Sequence, residues 1–159
     1  MLLSIEVSLY CPRFVVMDVT DGKVQLIHTA MNDHLREASK AQRNRTPVSQ
    51  LLMESVGKLD FILTAYPITD AVWGMRQLGI ANADAAKTAL GAILLTLAQH
   101  GVSADEMLRS RMYLLLTGKS KADACLLHAQ LRRLQSAEES YATPLLNALA
   151  WFKAHHRIP

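Results

Sequence analysis

The chain has 159 residues, of which 50% are apolar and 19% charged, with a formal net charge of +3. That length fits one domain spanning 1–159 with a sizeable core, and the apolar share excludes a disordered chain. No apolar run is as long as a membrane span: the best, Ala89 to Ala98, is interrupted by Gly91 and Thr96.

The opening residues MLLSIEVSLY lack a positive segment and contain Glu6, so they read as a strand over Leu2 to Leu9 and not as a signal peptide. Phe14 to Val19 is a β-branched second run. Asp21-Gly22 is a hairpin dipeptide, and Lys23 to Met31 makes the third strand of an antiparallel meander. The stretch NDHLREASKAQRNR, Asn32 to Arg45, is polar and basic. Thr46 is placed as N-cap with Pro47 at the first helical position. Val48, Leu51, Leu52, Ser55, Val56 and Leu59 give the inner stripe of the helix. Phe61 to Tyr66 reads as a buried strand parallel to an earlier one, and Ile68 to Ala81 as a loop.

Asn82 to His100 is a helix apolar nearly all round, which suits a central position or a subunit interface. Ser103 with Glu106 fits a capping box opening a helix to about Leu116, which Gly118 ends. Ser120 with Asp123 repeats the box for a helix to about Leu134. Thr143 to His155 closes the chain as a helix with Leu145, Leu146, Leu149 and Phe152 inside. The order βββ, α, β and then helices predicts an α/β fold: a meander continued by parallel strands, with helices on both faces. Cys11 and Cys125 show no zinc-type spacing and read as core residues of a cytoplasmic protein.

Five stretches together resemble the RuvC-type Holliday-junction resolvases and their RNase H-like fold. SIEVSLYCPRFVVMDVTDGKV resembles the opening hairpin, whose first strand presents an acidic residue. DFILTAYP resembles the central strand that presents a catalytic glutamate. NADAAKTALGAILLTLAQHGV resembles the long helix after it. RSRMYLLLTGKSKADACLLHAQLRRL resembles the Arg-rich segment, turn and next helix, and LLNALAWFKAHH the closing helix.

The resemblance implies four carboxylates holding two divalent metals. The first falls at Glu6, still acidic but one methylene longer than an aspartate. The second falls at Thr64, whose neutral hydroxyl cannot replace an anionic ligand, and the last pair at Pro144 and Asn147. Positions 6, 64 and 147 are therefore expected to converge in space. Cleavage is expected to be lost, and no cofactor is expected. Asp70 is a candidate substitute just after the central strand, and Asp18, Asp60 and Asp84 are further ones, although capping or surface roles are commoner for such residues.

Gly118-Lys119-Ser120 is not a P-loop, because Tyr113 stands where the earlier glycine is required. The resemblance makes this turn a phosphate contact at a helix start. Arg43, Arg45, Lys119, Ser120, Lys121, Arg132 and Arg133 are the candidate nucleic-acid contacts, read otherwise as ordinary solvated residues. Three functions follow. The first is a DNA-binding relative for junction or duplex that no longer cuts, with the 82–100 helix as homodimer interface and no membrane contact. The second is an active divergent nuclease using Glu6 with Asp70 or Asn147 and Mg2+ or Mn2+. The third is an assembly module that uses the fold for protein contacts.

Overall fold

The computed structural model describes residues 1–31, 45–75, 83–121, 129–132, 134 and 141–159. Its centre is β1, Leu2–Val7, which is buried along its whole length. A strand covered on both faces reads as a near-continuous apolar run, and LLSIEV departs from that only at Ser4 and Glu6.

β1 pairs antiparallel with β2, Arg13–Thr20, and β2 pairs antiparallel with β3, Lys23–Met31. The β2–β3 turn places Asp21 at φ 52° and Gly22 at φ 70°, the left-handed pair of a type I′ hairpin. On its other side β1 pairs parallel with β4, Asp70–Met75, which pairs parallel with β5, Ser103–Glu106. The strand order is β3-β2-β1-β4-β5. The expected meander and parallel continuation are therefore present.

Two apolar clusters lie on opposite faces of the sheet. Leu3, Ile5, Val7, Phe14 and Val16 point to α1, Val48–Ala65, and α2, Ala83–Gln99, meeting Leu51, Leu59, Ile62, Ile93 and Leu97. The alternate positions Leu2, Val15, Met17 and Val72 meet α3, Arg109–Thr117, and α4, Ala142–Ala154. This alternation follows from the two-residue period of a strand.

Several element assignments differ from the sequence reading. Phe61 to Tyr66 is not a strand. The buried series Leu51, Ser55, Leu59, Ile62 keeps helical spacing, so α1 runs through it until Tyr66 turns extended before Pro67. Pro47, not Thr46, takes the N-cap position. The parallel strand lies instead within the stretch read as a loop, at Asp70–Met75. Ser103–Glu106 is an edge strand and no capping box; α3 starts after Leu108 without a side-chain cap. Helix α2 is buried on one side only: Ala86, Ala89, Ile93, Thr96 and Leu97 are buried, whereas Asp84, Lys87, Thr88, Gly91, Leu95 and Ala98 are exposed, so the helix is not central. Gly118 ends α3 at φ 73°, as its C-cap role requires. Asp123 lies outside the described residues.

Leu145 is fully buried at the start of α4, whereas Leu114 on α3 is 55% exposed. Leu145→Ala is expected to cost about 2–5 kcal/mol. Leu114→Ala should stay within about 0.5 kcal/mol of the native chain. Urea midpoints at constant slope measure both.

Candidate functional site

Glu6 stands near the end of β1, level with Arg13 on β2 and Gly74 on β4. These three residues form one row across three neighbouring strands, about 4.8 Å apart. Glu6 shares a strand face with Leu2 and Ser4, and the Ser4 hydroxyl donates to the Pro144 carbonyl on α4 at 2.7 Å. The row therefore faces α4.

The Glu6 carboxylate is 3% exposed, and Arg13 Nη1 donates to its Oε2. A carboxylate this deep is tolerated only with a partner, and the guanidinium across the hairpin supplies one. Gly74 carries the third member of the row. A Cβ there would stand 2.7 Å from Asn147 Nδ2 and 3.3 Å from the Met107 carbonyl oxygen. Glycine at this position lets α4 bring an amide onto the strand backbone. Asn147 is 1% exposed, and among the described residues neither its Nδ2 nor Arg13 Nε has a hydrogen-bond partner.

Of the three positions expected to converge, Glu6 and Asn147 both adjoin Gly74, Glu6 on the neighbouring strand and Asn147 from α4. Thr64 does not. It is exposed on α1, on the opposite face of the sheet, with its Oγ1 donating to the Asp60 carbonyl at 2.8 Å. The β4 residue level with Glu6 is Gly74. Pro144 lies at the start of α4, with its carbonyl taken by Ser4.

Asp70 does not rebuild a site beside Glu6. It pairs with Leu2 at the far end of the sheet, and its carboxylate accepts from Thr69 Oγ1 at 2.8 Å. Four residue steps along β4 lie between it and Gly74, a distance of about 13 Å. Asp18 lines a small cavity together with Asp70 at that same far end. Asp60 is paired with His100 at 2.8 Å, and Asp84 is exposed beside Lys87. Among the described residues no three His, Cys, Asp or Glu side chains gather closely enough to hold a metal.

Among the basic candidates, Arg45 is exposed ahead of α1, Lys119, Ser120 and Lys121 are exposed just after α3, and Arg132 is exposed in the helical turn 129–132. Arg43 and Arg133 lie outside the described residues. Arg13 and Gly74 belong to this candidate site, and the sequence reading did not include them. Gly74 carried a signal, since a glycine inside an apolar strand marks a close approach. Arg13 carried one only once the β1–β2 register was known.

No family model matches the chain, and no curated protein does. Solved structures do. The structure of Thermus thermophilus RuvC superposes with a TM-score of 0.81 over 98% of this chain and 95% of its own, at 17% identity. The fold is the RNase H-like fold of RuvC. The T. thermophilus RuvC complex with a Holliday junction substrate superposes at 0.74, with 15% identity, over 98% of this chain and 94% of its own. The yeast mitochondrial Holliday junction resolvase follows at 0.57, with 12% identity, over 98% and 79%. No helix among the described residues is long and apolar enough to cross a membrane.

The Gly74–Asn147 contact can be tested by volume. Gly74→Ala is expected to destabilise by about 1–3 kcal/mol, as overpacking does. Asn147→Ala in the same chain should remove part of that loss, because the atom the new methyl meets is gone. A double-mutant cycle of urea midpoints reads the coupling.

Proposed function

We propose that this chain binds junction or duplex DNA through the phosphate backbone on a RuvC-like scaffold, without the two-metal cleavage of the resolvases. The observation that carries the reading is the row Arg13–Glu6–Gly74 under Asn147, set in a fold that superposes on RuvC along almost its whole length. Divalent cations such as Mg2+ and Mn2+ take hard, mostly anionic oxygen ligands. The row holds one carboxylate, already bonded to a guanidinium, together with a glycine and an amide. This donor set does not fit a pair of metals, and no cleavage step is assigned to it.

Binding by contrast needs only cations presented to phosphate, and the fold exposes several. Lys119, Ser120 and Lys121 form a turn directly after the left-handed Gly118, and Arg45 and Arg132 add positive charge. Lysine acts there as a point charge on phosphate, so affinity should fall steeply with salt and depend little on sequence. In T. thermophilus RuvC this scaffold is seen in complex with a Holliday junction substrate.

The proposal includes a homodimer through α2. Its exposed residues Asp84, Thr88, Gly91, Leu95 and Ala98 repeat at alternating spacings of four and three, the pattern of a helix–helix seam. Leu95 is 61% exposed, and a Cβ at Gly91 would meet nothing within 4 Å, so a second helix can approach closely.

A gel-shift series on four-way, duplex and single-stranded DNA, at about 50 to 200 mM salt, tests binding. The native chain should shift four-way or duplex DNA with a steep salt dependence and leave the strands uncut in Mg2+ or Mn2+. Replacing both Lys119 and Lys121 by alanine should weaken binding and lower the salt slope by about 2. Failure to bind any of the three DNAs would sink the proposal. Cleavage that Glu6→Gln abolishes would instead make the chain a nuclease. Light scattering should show a dimer that Leu95→Glu converts to monomer; a native monomer removes the dimer from the reading.

A further inference from the structure

We infer that Arg13 is the resident counter-ion of the cradle at the end of β1, so that the protein carries as a side chain the positive charge that a bound divalent cation would otherwise bring. The inference concerns the chain's own electrostatics and stands apart from DNA binding. Three observations carry it. First, register places Arg13 directly opposite Glu6, so the guanidinium reaches the carboxylate across one strand spacing. Second, the pair is enclosed: the Arg13 side chain is 17% exposed and the Glu6 side chain 3%. A guanidinium stays charged at any pH the fold survives, which makes its +1 permanent.

Third, the unpaired polar atoms nearby are donors. Arg13 Nε and Asn147 Nδ2 are both buried and, among the described residues, without a hydrogen-bond partner. An N–H group beside the carboxylate offers a cation no lone pair, whereas a cation needs oxygen ligands. With Gly74 contributing no side chain, Glu6 is the one anion of the row, and Arg13 already balances it. A divalent ion entering here would meet a fixed positive charge and one occupied carboxylate.

The test uses the DNA-free chain and reads its thermal midpoint in EDTA and in millimolar Mn2+, with Mn2+ EPR as a direct binding signal. The native midpoint should agree between the two conditions to about 1 °C, since a ligand that does not bind the folded state cannot stabilise it. Arg13→Met should lower the midpoint by roughly 6 °C or more, as expected when a buried charge loses its partner. Arg13→Met combined with Glu6→Gln removes both charges and should recover most of that loss. Arg13→Lys keeps the charge and should remain indifferent to Mn2+; it is the variant to read if Arg13→Met does not fold. Two results would overturn the inference. One is a Mn2+-induced rise of the native midpoint that Glu6→Gln abolishes. The other is a double variant no more stable than Arg13→Met alone. No nucleic acid enters the assay, so failure of DNA binding leaves its outcome unchanged.

Discussion

A carboxylate on a strand buried on both faces must find a positive or donating partner, and the pairing of Glu6 with Arg13 meets that demand. The consequences extend across the sheet. The antiparallel β1–β2 register is the one in which these two residues are opposite, and a one-residue slip would turn Arg13 to the α1/α2 face among Leu51, Leu59 and Ile62. Electrostatics and apolar patterning therefore specify the same alignment. Consistency of this kind between levels is what gives a sequence a single preferred structure.

Helix α4 is held over that row by contacts with three strands. Ser4 on β1 bonds the Pro144 carbonyl, Gly74 on β4 receives Asn147, and Asp105 on β5 accepts from Trp151 Nε1 at 2.9 Å. Apolar packing of Leu145, Ala148 and Phe152 supplies most of the attraction, but such packing is weakly directional. The polar and close contacts set where along the sheet the helix lies. Asn147 thus sits beside Gly74 because residues a turn before it and a turn after it are anchored to different strands.

Much of the fold was legible because local signals agreed. The meander was marked by alternating apolar runs and by Asp21-Gly22, and α2 and α4 by long helical periodicity. The middle of the chain was harder for physical reasons. Phe61, Ile62, Leu63 and Thr64 are good strand formers, yet they continue a helix whose buried stripe started at Leu51. DAVWGM includes a glycine that interrupts its strand signal, and SADE is so polar that a capping box fits it as well as an edge strand does. The site was half legible. Glu6 and Asn147 came from their positions in recognisable stretches. Thr64 was misplaced with its supposed strand. Gly74 carried a local signal that was lost when its strand was read as a loop, and Arg13 became visible only through strand pairing, a relation between distant segments that no local pattern contains.

The outermost parallel strand has a further consequence. β5 spans four residues, and two of them, Asp105 and Glu106, are carboxylates. An open sheet margin is an invitation for another chain to add itself by main-chain hydrogen bonding, the first step toward polymers. A margin this brief and this negative offers a newcomer few bonds and would set the same strand of a second copy against like charge. The composition that hid β5 from a reader of the sequence also protects the folded protein from edge-on growth at that side.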